Sequence, residues 1–232
     1  MIERYTIQVS RKELVDRFSI EEPEAYKQRY NAAPSQLLPI ITHESPQGFS
    51  YFYWGSAPQW ANNKSFAERI INTRAEWIKE KPVLKKTLRT HRCLIPADGF
   101  YAWKRVGKKT LVPWRFTLKT KALFSMAGLW EEYEDQEGNA FHTFSIITTT
   151  SDLWLADITD RIPVIFSGKE EKIWMNKQAA ETELLSLLEL PVAHLLEGYH
   201  VSSLISQVKN EGAYLIKPTP ATDQFGNLTL FD

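Results

Sequence analysis

Arg92-Cys93-Leu94-Ile95-Pro96-Ala97-Asp98-Gly99-Phe100-Tyr101-Ala102-Trp103 is the stretch from which the fold is read. Aromatic and β-branched content makes 92–96 and 100–103 strand candidates. Cys93 sits in an apolar run, where a free thiol behaves as a small hydrophobe, so it reads as core rather than as a nucleophile. Moving outward, 49–54, 115–118, 123–129 and 141–148 carry the same β signals, and 106–108 and 136–139 resemble hairpin loops. Near the start, Tyr5, Ile7 and Val9 alternate with polar residues, as in a half-buried strand. Ser10 and Glu13 have capping-box spacing, and Leu14, Val15 and Phe18 give the following helix an apolar stripe. Further helices are expected at 73–77, 83–88, 167–175 and 182–188. Thr73 with Glu76 and Ser167 with Glu170 repeat the capping-box spacing. Strands with helices between and around them imply an α+β fold with a barrel-like antiparallel β core and peripheral helices. Neither a linker nor an internal repeat divides the chain, so one domain over 1–232 is expected.

Composition narrows the function classes. The 232 residues are 43% hydrophobic and 24% charged, which excludes collagen, coiled coil and wholesale disorder. Lys plus Arg and Asp plus Glu both number 28, so the net charge is zero and a uniformly basic coat is excluded. The charge is uneven, however. Ten basic residues between Lys79 and Lys109 face only Glu80 and Asp98, a pattern that suits a solvated surface or a phosphate-binding face. One cysteine closes no intrachain disulfide and builds no Cys-rich zinc site. His43, His91, His142, His194 and His200 form no HExxH or HxH pattern, so no metal is expected. Walker, GxGxxG and GxSxG motifs are absent, so no cofactor is expected. The charged start and the lack of an apolar run of ~18 residues predict a cytoplasmic chain without a membrane partner. Trp54 and Trp60 flank a turn-prone Gly-Ser-Ala-Pro-Gln stretch. Trp54 reads as core; Trp60 suits either core or a base-stacking loop.

Five segments, in order along the chain, resemble the SOS response-associated peptidase (SRAP) family of abasic-site processing proteins. They are Arg29-Tyr30-Asn31-Ala32-Ala33-Pro34, Trp54-Gly55-Ser56-Ala57-Pro58-Gln59-Trp60, Ile71-Asn72-Thr73-Arg74-Ala75-Glu76, the stretch 92–103, and Asp157-Ile158-Thr159-Asp160-Arg161-Ile162-Pro163. Val201-Ser202, Lys209-Asn210 and Leu215-Ile216-Lys217-Pro218 make a weaker sixth match. The resemblance implies a compact α+β domain that binds single-stranded or abasic-site DNA. It also implies covalent chemistry: removal of the initiator methionine exposes a cysteine whose amine and thiol capture the sugar aldehyde as a thiazolidine. An α-amine with a pKa near ~8 is substantially neutral at physiological pH and can attack an aldehyde. In the family a glutamate and a histidine move protons, and an asparagine positions the site.

This chain departs from that pattern at three chemical positions. Ile2 stands where the family has its cysteine, Ala102 where it has its glutamate, and Thr159 where it has its histidine. A large residue at position 2 also predicts that Met1 is retained. The DNA-contact positions implied by the resemblance keep their chemistry: Arg4, Pro34, Trp60, Asn72, Arg74, Thr148 and Arg161. Arginines hold phosphates bidentately and a tryptophan offers a stacking face. Without the resemblance, Arg74 would pair with Glu76, and Arg161 with Asp157 or Asp160. Glu3 adds a negative charge where the family has glycine.

Three readings follow. The first is a non-catalytic monomer that binds single-stranded or abasic-site DNA in the SOS response. The second is an enzyme using the Met1 amine in Schiff-base or lyase chemistry. The third is a module on the same fold that binds a partner other than DNA.

Overall fold

A computed structural model describes residues 1–55, 70–134 and 137–229. In chain order the elements are β1 (Tyr5–Ile7), α1 (Arg11–Phe18), β2 (Arg29–Ala32), β3 (Leu37–Thr42), β4 (Ser50–Trp54), β5 (Asn72–Arg74), α2 (Ala75–Glu80) and α3 (Pro82–Thr90). There follow β6 (Arg92–Ala97), β7 (Gly99–Val106), β8 (Thr110–Leu118), β9 (Phe124–Glu134), β10 (Ala140–Thr150), β11 (Arg161–Pro163) and β12 (Ile165–Phe166). The chain continues through α4 (Gly168–Met175), α5 (Glu181–Leu187) and β13 (Leu196–His200). The α+β class with a barrel-like core is the architecture found.

Five strands close on themselves. β10 pairs with β4, β4 with β3, β3 with β6, β6 with β9, and β9 with β10. The ring closes because β9 and β10 are each 11 residues long. The first half of β9 pairs with β6 and the second half with β10. Closure leaves these strands without open edges, which would otherwise template aggregation. Gly128 belongs to both ladders, opposite Cys93 and Ile146. A Cβ there would lie 2.4 Å from Ile95 Cδ1 and 2.8 Å from Cys93 Sγ, so only glycine lets the strands and their interior side chains approach this closely. Pairing is antiparallel except that β4 and β5 both run parallel to β10, because the chain returns to the same edge of β10 in the same direction.

A second sheet, ordered β13-β8-β7-β1-β2, is antiparallel throughout. β1 lies inside it, and all three of its residues are buried rather than alternating. Thr6 is satisfied there as a polar residue: its hydroxyl donates to the Gly99 carbonyl at 3.3 Å and accepts from Arg115 Nη2 at 2.9 Å. Tyr5 meets Trp54 edge-on at 5.4 Å and so joins the two sheets. One buried apolar cluster contains Ile2, Tyr5, Trp54, Cys93, Phe100, Phe144 and Trp174. Cys93 is fully buried, and burial pushes its thiol well above the ordinary value, in keeping with a core role.

The helices cover the outside. α1 has the expected capping box, with Ser10 Oγ accepting from Glu13 N at 3.2 Å and Glu13 receiving the Ser10 N–H at 2.8 Å. The helix expected from Thr73 starts two residues later. Thr73 is a strand residue whose hydroxyl meets Ser145 Oγ at 2.8 Å, and Glu76 is drawn to Arg161, so tertiary partners displace the local cap. At α4 the Ser167 hydroxyl meets the Glu170 carboxylate at 3.2 Å but caps no backbone N–H. Arg92, counted in the basic run, is a buried clamp. It donates to the carbonyls of Leu88 (2.7 Å) and Arg89 (2.9 Å) at the end of α3, and to those of Trp174 (2.7 Å) and Asn176 (2.9 Å) at the end of α4. Carbonyls at helix ends lack intrahelical partners, and a cation suits them.

The expected hairpins fall where β7 meets β8 and where β9 meets β10; Gln136 of the second lies outside the described residues. After β13 the chain forms 3-10 turns at Ser203–Ser206 and Ala213–Ile216. Asn31 pins this segment by donating to the carbonyls of Ile205, Gln207 and Asn210. Among the described residues no helix is long and apolar enough to cross a membrane.

Candidate functional site

β1 carries the start of the chain to one end of an open cleft of about 700 Å³. Met1, Arg4, Thr159, Trp103, Arg105 and Gln224 are among its lining residues, and Glu3 and Asp160 add two acids. Ile2 is fully buried in the apolar core. Its carbonyl accepts a 2.7 Å hydrogen bond from Asn72 Nδ2, donated from β5. Asn72 therefore holds the backbone of residue 2, while its own Oδ1 is buried without a hydrogen-bond partner among the described residues. The Met1 amino nitrogen lies 3.7 Å from Asp160 Oδ1, and both groups are exposed.

Arg4 is half-buried, and its Nη1 donates to the Glu3 carbonyl at 2.6 Å. Burial pulls its pKa below the ordinary arginine value, with Glu3 opposing that shift. Thr159 is buried beside the cleft. Its hydroxyl donates to the Arg161 carbonyl at 3.0 Å, and its own carbonyl accepts from Ser151 Oγ. Ala102 is buried in β7, one residue before Trp103, whose ring lines the cleft. Strand alternation sends these two side chains to opposite faces.

Arg161, Thr148 and Glu76 form a second cluster, connected to the cleft through Thr159. Arg161 Nε donates to Thr148 Oγ1 at 3.0 Å, and Nη2 donates to the Thr148 carbonyl at 2.6 Å and to Glu76 Oε2 at 2.7 Å. Its partner is thus Glu76, not Asp157 or Asp160. Burial by itself would raise the Glu76 carboxyl, but the Arg161 hydrogen bond and charge, its own backbone and the Arg74 charge hold it below the usual value. Arg74 is exposed, with its guanidinium 5.1 Å above the Trp77 ring.

The structure therefore brings Met1, Arg4 and Thr159 to one cleft, ties Asn72 to Ile2, and joins Arg161 to Thr148. Pro34 stands apart from the cleft lining, in the turn between β2 and β3. Trp60 lies outside the described residues. Trp103, Arg105, Gln224 and Glu76 are site residues that the segment matches left unassigned. Arg105 belonged to the basic run and Trp103 to the most specific segment, but nothing in the local pattern marks Gln224. Ile2, Ala102 and Thr159 offer no thiol, carboxylate or imidazole. Among the described residues no group of three His, Cys, Asp or Glu side chains converges as a metal site.

This fold, with an N-terminal strand feeding a cleft and Asn72 holding residue 2, is that of the SOS response associated peptidase (SRAP) family, whose profile matches residues 1–208. The chain belongs to that family. It is 40% identical over 221 residues to the abasic site processing protein YoaM of Bacillus subtilis (strain 168), covering 93% of this chain and 97% of that one. It is 28% identical over 193 residues to the abasic site processing protein YedK of Escherichia coli (strain K12), covering 82% and 84%. A crystal structure of a protein from Bacteroides thetaiotaomicron matches with a TM-score of 0.80 at 24% identity, covering 93% of this chain and 99% of that one, a likeness of fold.

Proposed function

We propose that this chain binds single-stranded or abasic-site DNA in the cleft at its N-terminal strand, as part of a DNA-damage (SOS) response, without thiazolidine capture. The observation that carries the reading is Ile2. At the position of the family's thiol stands a fully buried aliphatic side chain, packed into the core and tied by its carbonyl to Asn72. The missing carboxylate at Ala102 and the missing imidazole at Thr159 agree with it. Support for binding comes from family membership and from the cleft, where Arg4 and Arg105 offer phosphate partners and Trp103 a stacking face. Such a protein acts where cellular DNA is, in the cytoplasm, and needs no second copy to complete the cleft.

The test uses a single-stranded oligonucleotide carrying one abasic site, beside an undamaged control, on native and denaturing gels. The expected result is a native shift that disappears on denaturation and weakens with salt. A band that survives denaturation overturns the non-covalent reading. No shift on either gel overturns the DNA reading.

One observation favours a second reading. The Met1 amine lies in the cleft beside Asp160. An amine placed there attacks an aldehyde carbon, a proton passes to the oxygen, and water leaves to give an imine. Borohydride reduction of a mixture with abasic DNA would trap that adduct as a stable amine.

A further inference from the structure

Residues beyond the family match at 1–208 fold back onto the cleft. The segment 221–229 is a tight turn. Thr222 and Leu228 form an antiparallel bridge, and the Thr229 N–H donates to the Ala221 carbonyl at 3.0 Å. Asp223 organises its tip: its carboxylate accepts from the Phe225 N–H (2.9 Å), the Asn227 N–H (2.8 Å) and Asn227 Nδ2 (3.1 Å). Gly226 takes the left-handed conformation the turn requires, at φ 88°. The Gln224 amide then clips the turn to the β7–β8 hairpin. It receives the Leu111 N–H at 2.7 Å and donates to the Lys109 carbonyl at 2.9 Å.

The clip sets two kinds of group side by side. Gln224 lines the cleft, and the next residue, Phe225, is 78% exposed on a turn fixed by hydrogen bonds. The hairpin end carries Arg105, Lys108 and Lys109, all exposed, and Arg105 Nη1 grips the Lys108 carbonyl at 3.2 Å. The carboxylate of the turn, Asp223, is occupied by its own backbone and Asn227. Between Gly99 and Trp130 the chain contains no acid at all. An ordered aromatic with solvent on its face, flanked by cations and continuous with a nucleic-acid cleft, has the chemistry that holds an unpaired base and its phosphates.

We propose that the 221–229 turn and the tip of the β7–β8 hairpin form an outer extension of the cleft that holds the flanking single strand. Phe225 stacks an unpaired base, and Lys108 and Lys109 contact phosphates. The inference rests on the DNA reading given above and adds a second, more distal contact to it. Two basic residues of α2 and α3 are committed elsewhere: Lys79 is paired with Glu189 and Arg89 with Glu181.

Fluorescence anisotropy with oligothymidylates of 4 and 12 nucleotides, at fixed salt, tests it on the full chain. Phe225→Ala is expected to weaken the 12-mer about tenfold and leave the 4-mer within about twofold, since base stacking on an aromatic side chain is lost. Phe225→Trp is expected to bind the 12-mer at least as well as the natural chain. Lys108→Ala with Lys109→Ala should lower the slope of log affinity against log salt by about 1.4 for the 12-mer, at about 0.7 for each single-strand phosphate. Equal 12-mer affinity of Phe225→Ala and the natural chain, with Arg4→Ala weakened on both lengths, overturns the extension and leaves the cleft reading standing. If the natural chain binds neither length, the extension falls, and the abasic-site gels decide the cleft reading separately.

Discussion

Ile2→Ala tests whether position 2 has become part of the core rather than part of a reactive site. Ile2 is fully buried, and its side chain joins the same apolar cluster as Tyr5 and Trp54. Truncation removes three carbons from this packing, and Ile→Ala in a core costs about 2–5 kcal/mol, depending on how far the site collapses. Residue 2 is near the start of the chain, where backbone can follow the void inward, but the Asn72 hydrogen bond to its carbonyl limits that movement. The lower half of the range, about 2–3 kcal/mol, is therefore expected. With a urea m-value of about 2.5 kcal/mol/M, the unfolding midpoint should fall by about 1 M at unchanged m. Because a small second residue favours removal of Met1, intact mass fixes the N-terminus of Ile2→Ala, and Glu3→Ala, at an exposed position, is the control whose effect should stay within about 0.5 kcal/mol. Equilibrium unfolding followed by tryptophan fluorescence reads both. A loss below about 1 kcal/mol for Ile2→Ala would refute the argument that this residue anchors the N-terminal strand.

Other consequences are equally direct. Gly128→Ala should destabilise by about 1–3 kcal/mol through overpacking, and Ile95→Val, which deletes the atom 2.4 Å from the added Cβ, should recover part of that loss in a double-mutant cycle. The Glu76 carboxyl is held below its ordinary value, so its contribution to stability is complete above the unfolded carboxylate pKa and is lost as pH falls through the folded value. Glu76→Gln should flatten that acid limb by no more than about 1 kcal/mol, because Glu76 is 43% exposed; denaturation curves at pH 3 to 7 measure it, and an unchanged acid limb would contradict the pairing with Arg161. Arg4→Ala and Arg105→Ala should each lower the salt slope of single-strand binding by about 0.7, and titrations at several salt concentrations distinguish this from a loss of folding.

Much of the fold is legible in the amino-acid sequence. Local signals are reliable where one element supplies both partners. The Ser10–Glu13 box forms because both groups belong to the same turn, and the strands from Arg92 onward form because their residues suit a pleated, buried surface. The signals fail where a partner distant in sequence is stronger. Thr73 gives up its cap role to Ser145, and Glu76 is taken by Arg161, 85 residues away. Strands β2, β3, β11 and β12 are short or contain proline, and β13 has Gly198 at its centre, so they carry little period-2 signal and exist because a neighbour completes their hydrogen bonds.

Family membership follows from residue identity alone, because motifs that match in order along the chain, such as 92–103, can be compared without geometry. What individual side chains do depends on partners that the folded chain brings together. Ile2 is a core residue because the first strand lies inside a sheet. Arg161 is committed to Glu76 and Thr148, and Arg92 to helix carbonyls, because burying a guanidinium demands partners that the fold alone brings within reach. The cleft wall from Trp103 through Arg105 to Gln224 is likewise a tertiary product. Its residues come together when a turn more than a hundred positions downstream is clipped to a strand edge by a single amide.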